Sequence, residues 1–143
     1  MPPPSSRRAV LAFAAALVIA VSSGLLSAQA PSDTPTEVFL TYRKALAGAK
    51  SYDAILPYMD AKSRGMVENM TDEMRAGVFE LLKKFEATYS DVAVAGEDVK
   101  GETVVLSLTG KDPKGQPAKG TVPMSKEGTS WKVGPEKWSS RPR

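Results

Sequence analysis

Along "TPTEVFLTYRKALAGAK" the apolar residues recur at helical spacing: Val38, Tyr42, Ala45, Leu46 and Ala49 form a stripe that Phe39 widens. Thr34-Pro35-Thr36-Glu37 ahead of it reads as a capping box with proline at the first helical position. The threonine hydroxyl accepts an orphan backbone N–H and the glutamate reaches back to another. A helix over 35–47, stopped by Gly48, is predicted. Ser51 then opens a shorter piece, "YDAIL", which Pro57 interrupts, with Ala54, Ile55, Tyr58 and Met59 facing inward. Asp60 caps "AKSRGMVENM", helical in tendency but weakened by Gly65. Thr71 caps the strongest element, "DEMRAGVFELLKKFEATY". Its Met74, Val78, Leu81, Leu82, Phe85 and Tyr89 fall on one side of a helix, which predicts a single buried face.

From Ser90 the period changes to two. "DVAVAGEDV" alternates around Val92 and Val94, with Gly96 at a bulge or bend, and "ETVVLSLTG" puts Val104, Leu106 and Leu108 on one face. Asp112-Pro113-Lys114-Gly115 carries the residues of a type I turn. A third strand around 118–125 points Val122 and Met124 one way. Glu127-Gly128 makes a tight connection to "SWKV", with Trp131 and Val133 inward. The expected class is α+β: N-terminal helices packed on a curved four-stranded antiparallel sheet, with a tail that frays after Trp138.

The first 30 residues are set apart from that domain. Met1 to Arg8 is basic, Ala9 to Val21 is unbroken apolar sequence, and "LLSAQA" ends in small residues. This is the layout of an export signal, with cleavage after Ala28 or Ala30. Left uncleaved, the segment is long enough to reach across a bilayer core of about 20 residues. "SRRAVL" partly matches the twin-arginine pattern, with the general export route favoured over it. The expected division is a signal peptide over 1–30, one domain over 31–138 and a flexible basic tail over 139–143, in an exported protein of the periplasm or the extracellular space.

Charge changes the picture less than the total of +3 suggests. Removing Arg7 and Arg8 from the 19 basic residues leaves 17 against 16 acids, a net charge of +1. Residues 31–99 carry 8 basic and 12 acidic side chains, and residues 100–143 carry 9 and 4. The lysines around "GKDPKGQPAKG" lack interleaved aromatics and a following helix start, so neither nucleic acid nor a bound phosphate is expected there.

Cysteine and histidine are both absent. Disulfides, thiol catalysis, Ser-His-Asp triads and ordinary zinc or haem sites are thereby excluded, and no cofactor or metal is expected. What remains for acid–base work is carboxylates. Asp53 and Asp60 flank the broken second helix, and Glu97, Asp98 and Glu102 gather at the first strand turn. Capping and solvation account for these acids, and Asp53 is kept as the one weak catalytic candidate.

The element order, a capped helix, a broken helix, an amphipathic helix and four strands ending in "GTSWKV", resembles the nuclear transport factor 2-like (cystatin-like) fold. More narrowly, it resembles small exported bacterial domains of unknown function within that superfamily. "TPTEVFLTYRKALAGAKSYDAILPYM" is similar to their opening helix pair, and "GETVVLSLTGKDPKGQPAKGTVPMSKEGTSWKV" to their strand–turn–strand ending. The resemblance covers 34–133. It implies a curved sheet wrapped against helices around a cone-shaped pocket, here lined by Tyr42, Tyr58, Phe85, Leu106 and Trp131. Members of the superfamily include isomerases, dehydratases and polyketide cyclases with Asp, His or Tyr inside, and others that only bind.

This chain departs from the enzymatic members in having no histidine. The expected function is a non-catalytic module of the cell envelope that binds a small apolar ligand or a protein partner, with pairing of two copies left open. The alternatives are an enzyme of the isomerase, dehydratase or cyclase kind that uses Asp53 with a pocket tyrosine, and a passive spacer.

Overall fold

The capping box forms as the sequence predicts. Thr34 Oγ1 accepts from the Glu37 amide at 3.2 Å, and Glu37 Oε2 accepts from the Thr34 amide at 2.9 Å. That reciprocal pair opens α1 (Pro35–Gly48), which buries Phe39, Tyr42 and Leu46. The computed structural model describes residues 33–139; the expected export signal, its expected cleavage site and residues 140–143 lie outside the described residues.

The short second helix is instead two 3-10 turns, Tyr52–Ala54 and Leu56–Tyr58. Pro57 has no amide to donate, and the chain closes tighter bonds from Ile55 N to Tyr52 O (2.9 Å) and from Tyr58 N to Ile55 O (3.0 Å). That tighter winding turns Tyr52 inward and Ala54 outward, whereas Ala54 was expected inside. Ser51 makes no capping bond. Asp60 does cap α2 (Ala61–Glu68), accepting from the Ser63 amide at 2.7 Å, and Thr71 caps α3 (Asp72–Thr88), accepting from the Met74 amide at 3.3 Å.

The second half is one antiparallel sheet. β1 (Ser90–Lys100), β2 (Thr103–Lys111), β3 (Pro117–Glu127) and β4 (Ser130–Val133) follow one another in chain order. Asp112 makes the β2–β3 turn expected of it: its side chain accepts from the amides of Lys114 and Gln116 at 2.9 Å each. The inner face carries Val104, Leu106 and Leu108 from β2 and Ala118, Val122 and Met124 from β3, all buried, and all but Ala118 share one core with Phe39, Tyr42 and Leu46 of α1.

A fifth strand, β5 (Lys137–Ser139), not among the four expected, pairs with β3 at Gly120↔Trp138. Its recognition is steric. A Cβ on Gly120 would lie 2.7 Å from the Trp138 ring, and one on Gly110 would lie 3.2 Å from it. Two glycines side by side thus make the floor on which the indole lies. The other indole face stacks on Tyr89 with ring centres 4.4 Å apart. The sandwiched ring holds a segment that apolar alternation alone would not make a strand.

The third helix is rotated from its expected setting. Phe79 is its buried residue, whereas Met74, Leu81 and Phe85 are 58, 64 and 41% exposed. Val78, Leu82 and Tyr89 are half-buried between these two sets. The rotation follows from what the inward side chains engage. Phe79 meets the Tyr52 ring edge-on at 5.1 Å, Lys83 donates to the Ala49 carbonyl at 2.9 Å, and Glu86 pairs with Arg43 at 2.9 Å. Lysine and glutamate face α1 because each finds a partner there, and the apolar stripe is left straddling the edge.

Truncating Phe79→Ala should therefore cost about 3–5 kcal/mol, while Leu81→Ala should stay within about 0.5 kcal/mol. Urea unfolding of the two variants checks this, and the opposite ranking would restore the stripe as the packing face.

Candidate functional site

A cleft of about 210 Å³ opens between the loop after α1 and the first half of α3. The loop contributes Lys50, Ser51, Tyr52 and Asp53; the helix contributes Asp72, Arg75, Phe79 and Glu80. Its floor is the Tyr52–Phe79 pair, 4 and 3% exposed, and burial raises the Tyr52 phenol above its usual value. The 3-10 geometry forced by Pro57 is what delivers Tyr52 to this floor. One wall is Arg75, whose Nε is buried without a hydrogen-bond partner. Unmet donors of that kind cost stability, because the lost hydration is not replaced. Asp53, the candidate acid, stands exposed at the rim and accepts a long bond from Ser51 Oγ at 3.4 Å.

The five residues expected to line a cone pocket are placed elsewhere, and none of them borders this cleft. Tyr42 and Leu106 lie in the main core, 7 and 0% exposed. Tyr58 and Trp131 pack against the edge of that core. Tyr58 has its ring 6.4 Å from Tyr42, and the Lys126 ammonium lies 5.8 Å from the Trp131 ring. Phe85 does not share the interior with them: the rotation of α3 turns it outward, against Tyr89 at 6.1 Å. Among the described residues, no group of three or more Asp or Glu is arranged as metal ligands.

A cluster of enclosed, paired charges joins α1, α3 and the segment before β5. Arg43 on α1 forks onto Glu136, with Nη1 3.2 and 3.0 Å from the two carboxylate oxygens, and its Nη2 reaches Glu86 on α3 at 2.9 Å. The Arg43 and Glu136 side chains are only 10 and 8% exposed. Trp138 Nε1 donates to Glu136 Oε2 at 2.8 Å, so the carboxylate is shared between the guanidinium and the indole. Every partner on this carboxylate is a donor, a satisfied pairing rather than a proton-transfer arrangement. Beside it, burial and the Glu136 charge together push the Tyr42 phenol well above its ordinary value. The one available sequence signal was Trp138 with an acid two residues before it, in a segment otherwise rich in turn residues.

No protein-family model matches the chain, and no curated protein matches it. Among solved structures, the fold is similar to the solution structure of a SEC-C motif-containing protein from Rhodopseudomonas palustris. That likeness has a TM-score of 0.50 and 16% identity, and covers 74% of this chain and 79% of the other. A crystal structure of an NTF2-like protein of unknown function from Shewanella baltica OS155 gives a TM-score of 0.46 and 15% identity, over 76% of this chain and 92% of the other. Identities this low speak to the fold alone.

The raised Tyr42 phenol sets an alkaline limit. The unfolded chain ionises this tyrosine near 10.0, whereas the folded chain resists ionisation. The contribution is thus whole below pH 10 and is lost as pH climbs further. Urea unfolding across an alkaline pH series should show a shallower loss of stability for Tyr42→Phe than for the parent chain. Identical slopes would mean that the phenol is not enclosed.

Proposed function

We propose that the chain is an exported, non-catalytic binding module of the nuclear transport factor 2-like kind, and that the cleft beside Tyr52 and Phe79 receives its ligand. The carrying observation is Arg75, a half-buried arginine in a cleft whose Nε has nothing to bond to. A ligand that supplies a hydrogen-bond acceptor there, and lays an apolar or planar body on the two aromatic rings, removes that penalty. The exposed acids at the rim favour a compact molecule over an extended anion. The order of helices before antiparallel strands supports the family reading. The basic head, apolar run and small-residue end of the first 30 residues support a place in the cell envelope, with no role for nucleic acid.

A second reading has one observation in its favour. Asp53 and Tyr52 line the same cleft, so an acid and a phenol stand together as an isomerase or dehydratase would need. Against it, Asp53 is exposed to solvent. Desolvation of the carboxylate would have to come from the substrate itself.

Amide NMR titration with simple aromatic carboxylates, benzoate first, tests the binding reading. Resonances of Tyr52, Arg75 and Phe79 should move, and Arg75→Met should weaken the response at least tenfold. Shifts elsewhere, or an unchanged response in Arg75→Met, would refute it.

A further inference from the structure

The exposed apolar edge of α3 is itself ordered. Thr71, Met74, Val78, Leu81, Phe85 and Thr88 alternate at spacings of three and four, the seam of a two-helix coiled coil. Met74, Leu81 and Phe85 along it are more than two-fifths exposed. The seam lies on the opposite flank of the helix from Ala76 and Glu80 of the cleft. Beside its middle sits Gly77, where an added Cβ would meet nothing within 4 Å, so a second helix has room to approach closely.

We propose that this seam is a self-association surface, on which α3 of a second copy packs antiparallel to the first. The spacing is self-complementary in that direction: Met74 of one copy meets Phe85 of the other, and Val78 meets Leu81. Large then faces large at both ends, and the two smaller positions meet near the twofold axis.

Charge selects the same direction. Glu73 and Lys84 are exposed on the outer side of the seam. At 1.5 Å rise per residue, the antiparallel register brings Lys84 of one copy within about 3 Å, along the axis, of Glu73 of the other, and it does so twice. A parallel pair would put the Glu73 and Lys84 flanks of the two copies on opposite sides of the seam, so that this pairing is lost, with both helix dipoles aligned unfavourably. Glu73, in the first turn, also lies toward the C-terminal end of the partner helix only in an antiparallel pair.

The full chain has no native cysteine, so single cysteines report the geometry directly. A mixture of Met74→Cys and Phe85→Cys chains should oxidise to the mixed disulfide. Met74→Cys alone should not, because its two copies lie about 16 Å apart along the axis in this register. Leu81→Glu, at an exposed position, should reduce the mixed disulfide at least tenfold while leaving the circular dichroism spectrum unchanged. Self-linking of Met74→Cys as efficient as the mixed reaction would overturn the proposal, since it would indicate parallel or unspecific association. So would sedimentation of the parent chain as a monomer at every concentration, the outcome expected if the edge is covered by the chain's own first 30 residues or reserved for a foreign partner.

Discussion

One guanidinium ties together three parts of the chain that are far apart in sequence. Arg43 leaves α1 between the core residues Tyr42 and Leu46, bonds Glu136 on the segment leading to β5, and bonds Glu86 near the end of α3. Charges as enclosed as these are costly to desolvate, and the pairing offsets that cost only when the geometry is good and the remaining lone pairs are occupied. Here Nη1 of Arg43 is shared between the two Glu136 oxygens, and the Trp138 indole donates to the same carboxylate. The clamp sets how far α3 can turn about its axis and where the last strand lies. Register, rather than net stability, is the best-attested use of such buried pairs.

The consequences run outward from that clamp. With Glu86 and Lys83 drawn to α1, Phe79 becomes the packing residue of α3 and meets Tyr52, which the 3-10 turns before Pro57 have brought inward. These two rings floor the cleft, and Arg75, one turn earlier on the helix, forms its wall. The same rotation moves Met74, Leu81 and Phe85 outward. Cleft and apolar edge are therefore two results of one choice of helix orientation, and the two roles proposed for them draw on different side chains.

Much of the fold was legible in the sequence because it rests on local rules. The Thr34–Glu37 box, the Asp60 and Thr71 caps, the Asp112 turn and the alternation of Val104, Leu106 and Leu108 each act over a few residues, and each is present. What was not legible depends on partners distant in sequence. The apolar count along α3 favours a face centred near Val78 and Leu82, and only the distant Arg43 and Ala49 explain why the helix settles on Phe79 instead. Pro57 marked an interruption without saying that tighter turns would bring Tyr52 inward and leave Ala54 outside. The fifth strand depends on Gly110 and Gly120 being bare where Trp138 lands, a condition that no pattern within "GPEKWSS" contains. The cleft was least legible: Asp53 at its rim could be singled out from the sequence, whereas the places of Arg75 and Phe79 depend on the helix rotation.

The most direct test is a double-mutant cycle between Arg43 and Glu136, with Arg43→Met, Glu136→Gln and the pair compared by urea unfolding. A clamp of the kind described should give a coupling free energy of about 1.5–3 kcal/mol, with amide exchange of β5 accelerated in each single variant. Additive losses, with β5 protected as in the parent chain, would contradict the account.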